Sequence, residues 1–441
     1  MRWATGLLVW AGLLWVTWLW TVGGGVQDLS DMAGGLTSVG RLSGLWASDL
    51  LLIQVLLMAR LPFLEHSFGR DELTRVHRLV GFTSFTLMLV HIGAVVLGYA
   101  SARWSLVPAT TWDLLVDDAG MLLALAGTLC LVMVVVTSIR AARRRMRYES
   151  WHLIHLYAYL GVGLALPHQL WTGQDFLASP AATVYWWSLW IAAAGAVLGW
   201  RVLLPVWRSL RHDLRVAAVV RESSDVVSVY LSGRRLDRLP ARAGQFLTVR
   251  FLTGRGGSRA NPYSLSAAPD GHTLRITAKA LGDGSTRLFA LQPGTRVWFE
   301  GPYGRLSDRA RSRRGVLLAG AGVGITPLRA LAEGLDYLPG QATLLQRFTD
   351  EPLFTRELAI LAAHRGLHVV PLPGRRPHPD SVLGQHTRGV DEQAFLQRLI
   401  PDLAERDVFL CGPQPWTDGF TALVRAAGVP RDRIHTESFG W

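Results

Sequence analysis

Cysteine is almost missing from this chain: two residues, Cys130 and Cys411, in a sequence of 441. One falls in an apolar run and the other in the more polar half, so neither a four-thiolate iron–sulfur site nor a disulfide framework can be built from them. Internal repeats and low-complexity tracts are missing too. No residue set reads as an activated nucleophile or a hydrolytic metal centre, which excludes the common hydrolase chemistries. Charge is scarce over long stretches. Nearly all extended apolar runs lie before about residue 205, while charged residues gather in a few N-terminal loops and in the C-terminal half.

That asymmetry predicts a membrane domain followed by soluble ones, with room for about three domains in all. Net charge is +12, from 45 basic and 33 acidic residues. The excess sits in short clusters beside apolar segments, where positive residues hold a loop in the cytoplasm, so no nucleic-acid partner is expected. A span in a lipid bilayer takes about 20 mostly apolar residues. Six windows qualify, at about 3–22, 44–63, 77–100, 119–139, 151–171 and 182–204, the second being weakest because it holds Asp49 and Gln54. Met1–Val22 lacks a small-residue cleavage site and is expected to stay as a span. Arg60, Arg70, Arg75 and Arg78 lie at or between the facing ends of spans two and three, Arg140, Arg143, Arg144, Arg145 and Arg147 between four and five, and Arg201, Arg208 and Arg211 at or after the end of span six. The opposite connections hold only Arg41 and Arg103. The expected protein is therefore integral to the plasma membrane, with both termini cytoplasmic.

From about His212 the texture changes. Leu214–Leu231 and Gly244–Leu252 predict strands, with turns at Ser223–Asp225 and Gly254–Gly257. Short strands continue to about Pro302, as in a small antiparallel β-barrel. After Arg314 the order is strand, Gly-rich turn and helix over Gly315–Leu335, then a strand at Ala342–Phe348 and another ending at Val408–Cys411. This βαβ series predicts an α/β parallel sheet that binds a nucleotide. The expected domains are residues 1–210, all-α and six-span; 211–312, the barrel; and 313–441, the nucleotide domain.

An ionisable side chain within a span is costly and needs a role. Span three carries His77 and His91, fourteen residues apart, and span five carries His155 and His168, thirteen apart. Fourteen steps bring two side chains to within about 40° of one helix face, separated by about 21 Å of rise. Thirteen steps miss by about 140°, so the second pair needs tilt or a local irregularity, which Pro167 can supply. If the helices run the same way, His77 faces His155 and His91 faces His168. Each couple can then clamp a haem iron through neutral imidazoles. His152 is the alternative to His155. His66 lies in a charged loop and is expected to be solvated.

Asn261-Pro262-Tyr263-Ser264-Leu265-Ser266 lies between two strands, where a tyrosine can rest against a flavin ring and hydroxyls can bond its ribityl chain. Lys279–Thr286 is a Gly-rich loop whose amides and hydroxyls can hold a pyrophosphate. Gly301-Pro302-Tyr303-Gly304 closes the barrel. Gly320-Ala321-Gly322-Val323-Gly324-Ile325-Thr326-Pro327 follows a strand, with glycines for close backbone approach and a helix start that favours phosphate. Cys411-Gly412-Pro413 fits a loop under a nicotinamide, and the ending Glu437–Trp441 carries aromatics that can cover a flavin. Arg347 follows the next strand, where a guanidinium can pair with a 2′-phosphate, so NADPH is expected in preference to NADH.

In this order the pieces resemble the ferric reductase and NADPH oxidase superfamily, over essentially the whole chain. The resemblance implies His77, His91, His155 and His168 as ligands of two b-type haems. It implies Tyr263, Ser264 and Ser266 in the flavin motif, and Gly284, Ser285 and Thr286 near the FAD pyrophosphate. Gly320, Gly322, Gly324, Thr326, Pro327, Cys411, Gly412 and Pro413 match nucleotide motifs, and Phe439 matches an aromatic that stacks on the flavin where hydride arrives. One position departs from the pattern: the flavin motif usually opens with Arg or His, and here it opens with Asn261. Arg259 is close enough to substitute; otherwise FAD binding is modest and FMN is the alternative. The implied activity carries electrons from cytosolic NAD(P)H through FAD and two haems to an outer acceptor. Ferric iron or a chelate comes first, drawn by Asp113, Asp117 and Asp118; oxygen, assisted by Arg103, is the alternative. The remaining alternative is a haem-binding membrane scaffold without turnover.

Overall fold

The computed structural model describes residues 2–146, 148–173, 175–253, 259–378, 381–385 and 389–438. The expected turn at Gly254–Gly257, Arg147, and the terminal Phe439 and Trp441 lie outside the described residues. The chain divides into two units, Met1–Val202 and Leu203–Trp441.

The first unit is helical: α1 Arg2–Val22, α2 Met32–Met58, α3 Pro62–Phe68, α4 Arg70–Tyr99, α5 Val107–Asp117, α6 Met121–Ser138, α7 Arg140–Arg143, α8 Tyr148–Trp171 and α9 Pro180–Ala196. Among the described residues, five helices are long and apolar enough to cross a membrane: Thr5–Val22, Met32–Met58, Glu72–Tyr99, Met121–Ser138 and Pro180–His212. The helix α8 falls outside that set. It is long enough, but His152, His155, His168 and Gln169 dilute its apolar character. It runs unbroken through Pro167.

The second helix corrects the sequence expectation, because α2 starts at Met32 rather than near residue 44. Asp31 caps it, accepting from Ala33 and Gly34 amides at 3.0 Å each. Its first turns are rich in Gly, Ser and Thr, which hides a span from a hydropathy reading. Those small residues let α4 come close: a methyl on Gly40 would fall 2.7 Å from Val95. Likewise the expected loop at 101–118 contains α5. The helix α2 packs along α4, and α6 along α8. Gly127 and Gly161 make the second contact possible, since a Cβ on either would lie 2.7 or 3.0 Å from the other's carbonyl oxygen.

The second unit opens with α10 Leu204–His212 and two antiparallel three-stranded sheets. Their strands are β1 Arg215–Arg221, β2 Val226–Ser232, β3 Phe246–Phe251, β4 Asn261–Ser264, β5 Thr273–Lys279 and β6 Val297–Tyr303, with α11 Asp283–Thr286 before β6. The orders are β1-β2-β5 and β4-β3-β6, and bridges Arg215–Arg296 and Leu265–Ile276 link the two sheets at both edges. Val227, Val229, Leu231, Leu247, Ile276 and Phe299 fill the space between them. A five-stranded parallel sheet follows, built from β7 Val316–Ala321, β8 Ala342–Arg347, β9 His368–Leu372, β10 Asp407–Gly412 and β11 Ile434–Ser438. Helices α12 Ile325–Gly334, α13 Thr355–Arg365, α14 Glu392–Leu399 and α15 Gln414–Ala426 intervene. Every residue of β7, β8 and β10 is buried, as expected of strands covered on both faces. The order β11-β10-β7-β8-β9 reverses direction between β7 and β10. Open sheets of this kind bind ligands at the carboxyl ends of the strands flanking such a reversal.

Candidate functional site

Two clusters stand out, one in each unit. In the first unit, His77 and His91 lie on α4 and His155 and His168 on α8. The rings of His77 and His155 have centroids 6.0 Å apart with planes at 68°. Two imidazoles each bonded at about 2 Å to one metal ion place their centroids roughly 6 Å apart. Ser138 Oγ lies 3.3 Å from His155 Nδ1 and accepts from Trp151 Nε1 at 3.3 Å, which leaves the far nitrogen of His155 for a metal.

His91 Nδ1 lies 2.8 Å from the Gly40 carbonyl oxygen. Donating there fixes the tautomer and leaves Nε2 unprotonated, the form that binds iron. Gly44 makes room for that ring, because a Cβ at Gly44 would sit 2.5 Å from His91 Nδ1. His168 is within electrostatic reach of His91. The Nδ1 atoms of His77 and His168 are buried and make no hydrogen bond among the described residues. A buried neutral imidazole set with unspent nitrogens fits metal ligation.

In the second unit the expected motifs converge. Tyr263 lies on β4 opposite Leu247, and burial pushes its phenol well above the usual tyrosine range. Ser264 is buried beside it. A Cβ on Gly284 would fall 3.1 Å from Asn261 Nδ2, so the Gly-rich loop packs on the flavin motif. Arg259 is held there too, 3.9 Å from Asp283. Ser285 Oγ meets the amides of Leu281 and Gly282, and Thr286 Oγ1 donates to Gly282 O at 3.0 Å. These hydroxyls close their own turn, which leaves backbone amides to meet a phosphate.

Two of the expected site residues turn toward protein partners. Ser266 is fully buried, and its hydroxyl accepts from Arg275 Nε at 3.0 Å and Thr277 Oγ1 at 2.7 Å. It anchors the motif from behind rather than facing a ligand. Arg347 ends β8 and is 7 % exposed. Its Nη1 donates to the carbonyls of Phe348 and Leu372 at 2.5 and 3.1 Å, and Gly384 packs against the guanidinium. Burial lowers its pKa, with Arg376 adding to the effect. In this arrangement the guanidinium is engaged by backbone carbonyls at the end of the sheet.

The sheet reversal brings the nucleotide motifs into contact. Cys411 aligns with Gly320 on one side and Glu437 on the other. A Cβ on Gly324 would lie 2.2 Å from Cys411 O, and one on Gly320 would lie 3.0 Å from Ile325 Cα. Gly322 has φ +57, which glycine adopts without strain. Thr326 Oγ1 donates to Val323 O, holding the helix start ahead of Pro327. Gly412 packs on Trp416, ahead of Pro413. Burial pushes the Cys411 thiol up and the Glu437 carboxylate adds to that, so the thiol stays neutral. Glu437 also reaches the first lobe, as a Cβ on Gly304 would lie 3.2 Å from its Oε1. Sequence reasoning gave Glu437 no role of its own.

It also missed a lattice of four charges. Arg275 of β5 pairs with Glu357 of α13 through Nη1 at 2.7 Å and Nη2 at 2.9 Å. Arg329 of α12 bonds Glu357 at 2.6 Å and also pairs with Glu333, whose carboxylate accepts the Ala268 amide at 2.6 Å. The segment after the flavin motif is thus tied to the helix that begins at the Gly-rich turn. Burial raises the Glu357 carboxyl, but Arg275 and Arg329 outweigh it and hold it below the usual glutamate range. A depressed carboxyl contributes stability above its unfolded value of about 4.3 and loses it as pH falls through the lower folded value. Thermal unfolding should therefore show Glu357→Gln less stable by about 1–3 kcal/mol at neutral pH, discounted from a fully buried pair because Glu357 is partly exposed. The gap should close as pH drops below about 4; a constant gap would contradict the assignment.

Residues 43–166 match the family described as ferric reductase like transmembrane component, a stretch that includes His77, His91 and His155 and stops two residues before His168. Over 247 residues the chain is 34 % identical to the ferredoxin reductase component of a 3-ketosteroid-9-alpha-monooxygenase from Mycolicibacterium smegmatis, covering 52 % of this chain and 65 % of that one. It is 30 % identical to the ferredoxin–NAD(+) reductase component of an alkene monooxygenase system from Xanthobacter autotrophicus, covering 52 % and 70 %. It is 32 % identical to a flavohemoprotein from Chromobacterium violaceum, covering 56 % and 63 %. The chain spans just under two thirds of the first of these relatives. Helices of membrane length joined to such a module define a transmembrane oxidoreductase with ferredoxin-reductase-type FAD and NAD(P) domains. Residues 43–166 thus resemble a ferric reductase-like transmembrane component, and the C-terminal half belongs with the ferredoxin-reductase-type modules.

Proposed function

We propose that the protein carries electrons from cytosolic NAD(P)H through FAD and two b-type haems to ferric iron, free or chelated, on the outer side of the plasma membrane. The observation that carries this is the pairing of His77 with His155 at 6.0 Å between α4 and α8, with His91 and His168 within electrostatic reach of each other on the same two helices. In this reading α8 is the sixth span, both termini are cytoplasmic, and the haem, FAD and nucleotide domains are residues 1–210, 211–312 and 313–441. The edge-linked sheets are the FAD barrel.

When bound, the nicotinamide supplies hydride, the flavin converts it to single electrons, and the haems conduct these through hydrocarbon. The chain's own residues bind and orient. Gly40 O and Ser138 Oγ set the faces of His91 and His155. Tyr263 lies along the flavin, with Arg259 supplying the cation that Asn261 lacks. The glycines at 320, 322 and 324 admit a pyrophosphate to the backbone, while the neutral Cys411 thiol and Glu437 border the nicotinamide. Phe439 is the residue that would cover the flavin once it is bound. With Arg347 turned inward, the choice between NADPH and NADH passes to other residues.

The test is anaerobic addition of NAD(P)H to purified protein, then ferric chelate, oxygen and a quinone in turn. Two low-spin haems per chain, reduced by NAD(P)H and reoxidised fastest by ferric chelate, are expected. Faster reoxidation by oxygen would make the protein an oxidase, and no NAD(P)H oxidation would leave only a haem scaffold. Gly44→Ala offers a structural check. Its methyl would occupy the place of the His91 ring, so pyridine haemochrome should count one haem per chain instead of two, without loss of the flavin.

A further inference from the structure

Among the described residues, the electron path leaves one fully buried acid of the first unit unused. Asp49 lies within α2 and is 0 % exposed. Its Oδ1 accepts a hydrogen bond from the Tyr185 hydroxyl of α9 at 2.5 Å, while Oδ2 is buried with no hydrogen-bond partner among the described residues. From α1, Gly12 faces the pair: a Cβ there would lie 3.1 Å from Tyr185 OH and 3.3 Å from Asp49 Oδ2. From α8, Gln169 reaches the neighbouring Ser48 at 3.0 Å and not Asp49. Tyr185 is the titratable group that faces Asp49, and no cation pairs with it among the described residues.

Carboxyl groups in hydrocarbon normally face a cation or a full set of donors, and Asp49 has one donor for two oxygens. Its depth gives that a meaning. Along α2, Gly44 touches the His91 ring and the Gln54 backbone faces His77. Asp49 is five residues from each, about 7.5 Å of rise, and so lies level with the gap between the two histidine tiers. It points about 140° away from Gly44 around the helix, toward α1 and α9. An electron arriving at either tier adds a negative charge, and charges act over long distances in a medium of low dielectric constant.

We infer that Asp49 is the proton-binding site of the membrane unit, taking one proton from solvent onto Oδ2 when an electron enters and releasing it when the electron leaves. The inference rests on the haem reading above. One electron and one proton enter together, the carboxylate becomes the neutral acid, and the unit's net charge does not change. Tyr185 keeps its proton throughout and, by donating to Oδ1, directs the incoming proton to Oδ2. Gly12 keeps side-chain bulk away from that oxygen.

The test uses the full-length purified protein, reduced with dithionite so that nicotinamide and flavin are bypassed, after haem has been counted. The reduced-minus-oxidised infrared spectrum should contain a carboxylic-acid carbonyl band that shifts in D2O and vanishes in Asp49→Asn. The haem midpoint potential should fall with rising pH in the native protein and be flat over the same range in the variant. Absence of haem overturns the haem reading itself. Two haems with no Asp49-dependent band, or with the same pH dependence in both proteins, overturn the proton site alone. Should Asp49→Asn not fold, Tyr185→Phe must move the band by removing its hydrogen bond, and an unmoved band overturns the assignment.

Discussion

His91→Ala should leave one haem per chain and reduce trans-membrane electron transfer to background, while NAD(P)H still reduces a soluble dye that takes electrons from the flavin. The expectation follows from separation along one helix. His77 and His91 are fourteen residues apart, about 21 Å of rise, so removing one imidazole empties one tier and leaves the other. The substitution is mild for the fold, because what it removes is a ring whose Nδ1 meets one carbonyl, that of Gly40. His168→Ala should behave alike. His77→Ala or His155→Ala should block the outer acceptor by removing the other haem. Protein yield and monodispersity separate these outcomes from misfolding. The measurement is haem content together with reduction of an impermeant acceptor outside reconstituted vesicles. Outside reduction persisting in well-folded His91→Ala protein would refute the two-haem relay.

Gly324→Ala should lower NAD(P)H-dependent dye reduction at least about tenfold and leave the dithionite-reduced haem spectrum unchanged. The added methyl would lie 2.2 Å from Cys411 O and 2.8 Å from Gly412 Cα. Both obstacles are backbone in a fully buried strand end, so neither can swing aside. Overpacking of this kind costs about 1–3 kcal/mol, and relief requires the Cys411–Pro413 loop to retreat from the nucleotide. Steady-state rates with NADPH and with NADH measure it. Full activity in this variant would mean that the turn and the loop do not hold the nucleotide between them.

The sequence disclosed this arrangement unevenly, for physical reasons. The parallel sheet could be anticipated because each βαβ passage carries its own turn chemistry, and the glycines of 320–324 and the Cys411 loop met as their positions after strands suggested. Fourteen-residue spacing showed the His77–His91 face, since helix periodicity is local. The early start of α2 was hidden because its Gly, Ser and Thr residues are selected for close approach to α4, and hydropathy does not register approach. Ser266 and Arg347 were read as ligand contacts on chain position alone. Both side chains turn inward to partners on a neighbouring strand, Ser266 to Arg275 of β5 and Arg347 to Leu372 of β9. The Arg275–Glu357 pair was invisible for the same reason, as 82 positions separate its members.

That last separation bears on how the chain is made. Proteins emerging from a ribosome tend to fold domain by domain from the N-terminus. Here the β5 strand leaves the exit tunnel carrying Arg275, and the carboxylate that neutralises it is not synthesised until α13. Until then the nascent lobe holds a buried guanidinium with Tyr230 and Ser266 as its lobe partners. The first lobe should stay loose until Glu357 arrives, so that the two lobes of the second unit set together rather than in succession.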